Sequence, residues 1–150
     1  MGFEVQHTQG DLDELFEIDF KDMAEEALAN AVPILEKSMQ KAVYGVIEHE
    51  GDSELAKSIR ASKPKKAKTG AYIINVSPKG NSSAHTYKGG KGKKRKYPVS
   101  NALKAIWKEY GINSQNHHQP AQPFLAKATN DAESAVLDTI EKTFDSKLRK

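Results

Sequence analysis

Apolar side chains recur at three- and four-residue steps in two long stretches of this chain. In the first, Ala24, Ala27, Leu28, Ala31, Leu35, Ala42, Val43 and Val46 share one helical face, while Glu25, Glu26, Glu36, Lys37 and Lys41 fall mostly on the other. Asp19 or Asp22 is placed to cap the start of this helix. Pro33 predicts a kink inside it, and Gly45 and then Gly51 predict its end. In the second stretch Phe124, Leu125, Ala128, Ala132, Ala135, Val136, Ile140, Phe144 and Leu148 hold the same spacing. Pro123 fits the first position of that helix, where its missing N–H costs nothing. Asp131 and Glu133 come early and Lys147, Arg149 and Lys150 late, the order the helix dipole favours. A shorter helix is predicted over Ala102 to Tyr110, with Ser100 or Asn101 as its cap. It carries Leu103, Ile106, Trp107 and Tyr110 on one side, and Gly111 ends it.

Between these helices the pattern is weaker. Phe3 and Val5 suggest a short strand, and Leu12 to Phe16 a short helix capped by Asp11. Ser53 to Ser62 reads as a further helical turn or a strand. Residues 62–68 read as a basic linker containing Pro64. Ala71 to Val76 is the best strand, bounded by Gly70 and by Ser77-Pro78-Lys79-Gly80, and Tyr72 to Ile74 imply cover on both faces. Residues 81–97 are rich in Gly and Lys and read as a flexible loop, with Pro98 as a turn. Residues 112–122 form a second polar loop. The whole predicts one α+β domain over 1–150: a small antiparallel sheet against two long helices and one short helix, with a long basic loop.

Composition changes this picture in one respect. The hydrophobic share is 37%, below the roughly 45–50% usual for globular domains, so the core is expected to be thin and burial through oligomerisation favoured. Charge changes it more. Ala56 to Lys96 holds thirteen Lys or Arg and no Asp or Glu, out of 23 basic and 20 acidic residues in the chain. The remainder is an acidic frame around a basic insert. Unpaired ammonium groups are too costly to bury, so the insert must face water, phosphate or an acidic protein surface. There is no cysteine, which excludes disulfides, thiolate metal sites and a cysteine nucleophile. No signal peptide or spanning segment is visible, and no membrane association is expected.

Candidate chemistry is sparse. His117-His118 is the sole histidine pair, with no further ligand type clustered nearby, so no metal site is expected. Gly89-Gly-Lys-Gly92 lacks the spacing of a phosphate loop, and no nucleotide or other cofactor is expected. The serines form no nucleophile elbow. Glu48, Glu50, Asp52 and Glu54 read as surface carboxylates rather than an acid/base pair. No catalytic residue is assigned. The basic run remains: Lys88, Lys91, Lys93, Lys94, Arg95 and Lys96, flanked by Tyr87 and Tyr97, aromatics of the kind that stack on bases. No helix-turn-helix, ribonucleoprotein or zinc-finger pattern accompanies it.

Ala105-Ile-Trp-Lys-Glu-Tyr-Gly111, a loop, and Pro120-Ala-Gln-Pro-Phe-Leu-Ala-Lys-Ala128 before a long amphipathic helix together resemble the head–tail joining (neck or tail-completion) proteins of long-tailed double-stranded DNA bacteriophages. The order upstream is similar too: a long helix, the Leu55 to Ile59 segment, a strand ending in Ser77-Pro78, and a basic loop. Many members carry Arg where this chain has Gln122. The resemblance implies a non-enzymatic virion protein, assembled in the bacterial host cytoplasm as a homo-oligomeric ring beside other connector and tail proteins. It marks Glu109, Tyr110, Gly111, Pro120, Gln122, Pro123 and Phe124 as structural or interface residues. The basic loop would then meet a neighbouring subunit or ring, or passing double-stranded DNA. Contact with protein is preferred, because a strongly attractive channel would retard a moving polyanion. A basic-loop DNA-binding accessory protein is the alternative.

Overall fold

Alanine spacing decides how the long helices meet. The structure, a computed structural model, describes residues 20–46, 50–88, 96–115 and 117–149, of which 50–52, 84–88 and 96 are described for their backbone alone. Helix α1 (Phe20–Tyr44) buries Ala24, Ala27, Ala31 and Ala42. Helix α4 (Leu125–Leu148) buries Ala128 and Ala132. Methyl-sized groups let the two backbones approach closely. Asn30 Nδ2 donates to Thr143 Oγ1 at 3.3 Å, Ser38 Oγ donates to the Ala128 carbonyl at 2.8 Å, and Lys147 pairs with Glu26 at 2.7 Å. As one partner's number rises the other's falls, so the helices run antiparallel. Pro33 is exposed and does not interrupt α1, because the ladder bond it cannot make faces water.

After the turn at Gly45-Val46, helix α2 (Glu50–Ser58) passes directly into β1 (Ile59–Ala61). The segment read as helix or strand is thus both, and Gly51 lies inside α2 rather than stopping α1. Strands β2 (Lys65–Lys66), β3 (Tyr72–Ile73) and β4 (Val76–Pro78) follow. β1 pairs with β4 and β2 with β3, both antiparallel. Between the two ladders the Ser62 N–H donates to the Asn75 carbonyl and the Asn75 N–H to Ser62 Oγ. Residues 59–78 therefore form one irregular hairpin. Its register slips by one residue beside Pro64, which has no N–H to donate.

This corrects two expectations. The basic linker at 62–68 is half of a hairpin. The single strand at 71–76 is two short strands broken at Ile74-Asn75, and Ile73 is 43% exposed, so cover on both faces is not found.

Strand β5 (Asn81–Lys88) pairs antiparallel with β6 (Lys96–Ser100), so much of the expected loop at 81–97 is strand, and Pro98 sits inside β6 instead of a turn. Helix α3 (Asn101–Tyr110) begins at once. The 112–122 loop contains a short ladder of β7 (Ile112–Ser114) with β8 (His117–Gln119). The fold class is α+β, built from separate two-stranded ladders rather than one sheet. The predicted strand at Phe3–Val5 and helix at Leu12–Phe16 lie outside the described residues. One cluster of Met39, Ala42, Val43, Leu55, Ala56, Ile59, Phe124 and Ala128 forms the core, where α1, α2, β1 and the start of α4 converge. It sits at one end of the α1–α4 pair and carries α3 beside it, through Ala105.

Candidate functional site

Helix α3 is held in an orientation its composition does not suggest. Ser100 Oγ accepts from the Leu103 N–H at 3.1 Å and caps it. Asn101, Lys104 and Lys108 are the buried residues of the helix, at 3%, 6% and 5% exposure. Asn101 Nδ2 donates to the Lys79 carbonyl at 2.9 Å, and the Asn101 N–H to the Gly80 carbonyl. Lys108 Nζ donates to the Val46 carbonyl at 3.3 Å and to Gln122 Oε1 at 3.2 Å. Lysine stems bury apolar length in this way; the Lys108 ammonium reaches two acceptors, and the Lys104 charge acts on the Glu54 carboxylate. The apolar side is turned outward in consequence: Leu103 and Trp107 are half-buried, while Ile106 and Tyr110 are 53% and 75% exposed.

The end of α3 is joined to the start of α4. Glu109 Oε2 accepts from the N–H groups of Phe124 (2.9 Å) and Leu125 (3.2 Å), placing a carboxylate on a helix N-terminus. The Gln122 N–H donates to the Lys108 carbonyl at 2.7 Å. Gly111 has φ 77° and ψ 176°, a positive-φ extended conformation that favours glycine. A Cβ there would lie 2.6 Å from the Gln119 carbonyl oxygen and 2.8 Å from the Ala121 nitrogen. Pro120 and Pro123 are exposed, and Phe124 is 1% exposed in the core. Helix α4 starts at Leu125, so Pro123 precedes the helix instead of opening it.

The basic hairpin grows from the same corner. Asn81 pairs with Ser100, Thr86 with Pro98, Tyr87 with Tyr97 and Lys88 with Lys96, with the register shifting between Asn81 and Thr86. Lys91, Lys93, Lys94 and Arg95 lie outside the described residues. Glu54 on α2 fixes the base: Oε1 accepts from the Ser83 N–H at 2.7 Å and Oε2 from Ser82 Oγ at 2.9 Å. The Ser83 N–H is the main cause that holds the Glu54 carboxyl below its ordinary value. Partial desolvation opposes this, while the Ser82 hydroxyl and the Lys104 charge add to it.

The predicted residues thus fall into two groups. Glu109, Gly111, Gln122 and Phe124 converge on the α3–α4 junction, with Tyr110 pointing away from it. Lys88 and Lys96 are backbone register partners in the separate β5–β6 ladder. His117 and His118 are exposed on β8, and among the described residues no three His, Cys, Asp or Glu side chains gather at metal-binding distance. No described helix is long and apolar enough to cross a membrane. Sequence reasoning missed Glu54, Lys104 and Lys108. The lysines carried a faint signal, since Asn101, Lys104 and Lys108 share one helical face, but that face reads as solvated. Comparison with family models, curated proteins and solved structures returns no match to this chain.

Proposed function

We propose that this chain is a non-enzymatic structural subunit of a phage neck: copies associate head to tail into a ring that joins the DNA-filled head to the tail. The observation that carries this reading is the inverted burial of α3. Hydrogen bonds from Asn101 and Lys108 fix the helix against rolling, so Ile106 and Tyr110 remain outside as an apolar strip. A strip of that kind is suited to a protein neighbour. The resemblance over residues 105–128 supplies the class of neighbour: another copy, or an adjoining connector or tail protein. On this reading the polypeptide resides in the virion after assembly in the bacterial cytoplasm, and it uses no cofactor or metal. Its basic hairpin meets an acidic surface of a neighbouring subunit or ring.

A DNA-binding accessory role is the second reading. The opposition of Tyr87 to Tyr97 and of Lys88 to Lys96 favours it, because it places aromatic and cationic positions together along one ribbon. One variant separates the two. Lys88, Lys91, Lys93, Lys94, Arg95 and Lys96 are all replaced by Gln, and particles are inspected by electron microscopy. The neck reading expects filled heads and free tails left unjoined, from a subunit that keeps the parent circular dichroism spectrum. Normal infectious particles, with steeply salt-dependent duplex binding by the parent subunit, would replace it with the DNA reading.

A further inference from the structure

The hairpin of residues 59–78 carries charge that the subunit itself does not neutralise. Lys63, Lys65, Lys66 and Lys68 are all exposed, and no ion pair joins any of them to a described carboxylate. Lys66 Nζ lies 5.7 Å from the centre of the Tyr72 ring. Among these cations stands Ile73, the register partner of Lys65, which is 43% exposed. Helix α4 carries the opposite pattern. From Ala128 to Glu141 it holds Asp131, Glu133, Asp138 and Glu141 and no Lys or Arg. Asp131 pairs with Lys127 at 3.6 Å. The other three are exposed, and no ion pair joins them to a described cation. At 3.6 residues per turn, Leu137, Asp138 and Glu141 fall on the side of α4 away from Ala128, Ala132 and Thr143, the buried residues of that helix. Leu137 is 57% exposed in the middle of this acidic face.

We infer that the hairpin of one copy docks on the outer face of α4 in a second copy. Lys63, Lys65, Lys66 and Lys68 are set against Glu133, Asp138 and Glu141, and Ile73 against Leu137. Within one subunit the two patterns do not meet. The hairpin rests on α1, where the Ala61 N–H donates to Glu36 Oε2 at 3.0 Å and Gln40 Nε2 to the Ile59 carbonyl at 3.3 Å, while Asp138 and Glu141 face away from α1. The scales agree: Lys63 to Lys66 spans about 10 Å of extended chain, and Glu133 to Glu141 about 12 Å of helix. Opposite charges at such a contact fix partner and register more than they add affinity, so they complement the apolar α3 strip. Nucleic acid could take up the lysines, but it would leave the acidic face and its leucine without a counterpart. The inference rests on the head-to-tail association proposed above, for which it names the polar contact.

Charge reversal tests it. One variant carries Lys63→Glu, Lys65→Glu, Lys66→Glu and Lys68→Glu; the other carries Glu133→Lys, Asp138→Lys and Glu141→Lys. All seven side chains are exposed, so both variants should keep the parent circular dichroism spectrum. The parent is expected to associate in sedimentation velocity at moderate salt, and less so at high salt. Each reversed variant alone should sediment as a monomer at concentrations where the parent associates. An equimolar mixture of the two, and a chain carrying all seven changes, should recover association to within a few-fold of the parent. Single reversals that sediment like the parent would overturn this inference and leave head-to-tail association to the α3 strip. If the hairpin reversal abolished duplex binding as well, the lysines would belong to nucleic acid. A mixture that stays monomeric would show that the two faces meet something other than each other. A parent that is monomeric at every concentration would remove both this contact and the head-to-tail reading.

Discussion

Gly111 is the residue at which local conformation and packing make the same demand. Its φ and ψ lie in a region essentially restricted to glycine, which costs about 1–3 kcal/mol for other residues. A Cβ would also press on backbone atoms of Gln119 and Ala121, which cannot swing aside as a side chain can. Gly111→Ala is therefore expected to lose more than the conformational cost alone, about 3 kcal/mol or above, in urea unfolding. A loss below about 1 kcal/mol would show that the β7–β8 return shifts freely. Glu109 contributes differently. A carboxylate on the first N–H groups of α4 offsets orphan donors and helix dipole together, effects worth roughly 0.5–2 kcal/mol. Of this site the sequence shows the glycine stop and the buried Phe124. It does not show that Glu109 reaches across fifteen residues to cap another helix, because capping signals are legible only when the cap is local.

At the scale of elements, the same contrast separates what the sequence reveals from what it conceals. The helices α1 and α4 are visible because their apolar stripes repeat over many turns, and one face must be buried. β5 is hidden. Asn81-Ser-Ser-Ala-His-Thr-Tyr-Lys88 has the composition of a loop, and it becomes a strand through pairing with β6 and anchoring to Glu54, both tertiary events. α3 is legible as a helix but not in its orientation, since nothing local says that Lys104 and Lys108 are buried.

The Glu54 anchor carries a pH signature. Its folded carboxyl value lies below the unfolded one, so its contribution is fully present above the unfolded value and fades as pH falls through the folded one. Parent and Glu54→Gln proteins should thus differ most in unfolding free energy at neutral pH and converge in acid. A constant gap down to strongly acidic pH would dissociate the Ser82 and Ser83 bonds from ionisation.

For the whole molecule, the core is small and built largely from alanine, with Phe124, Leu55, Ile59 and Val43 as its largest fully buried side chains. Meanwhile Ile106, Tyr110, Leu137 and Leu148 remain about half exposed or more. A subunit with this balance gains by association, and association makes stability depend on concentration. The parent protein is expected to show a melting temperature that rises with concentration and a sedimentation boundary faster than that of a monomer. Ile106→Ser with Tyr110→Ser should abolish both while leaving the dilute-limit melting temperature within a few degrees, since neither side chain is buried within the subunit. If the double variant sediments like the parent, the α3 strip is not the contact.

The β5–β6 ribbon is tied down at its foot, by Glu54 to Ser82 and Ser83 and by Gly80 to Asn101. Beyond that foot, a residue added to each arm lengthens the ribbon by about 3.4 Å without disturbing a core contact. Its span is therefore a dial that mutation can turn by insertion or deletion while the body stays constant. One scaffold can be recalibrated to partners set at different distances, as a carpenter resets a gauge without recutting the tool.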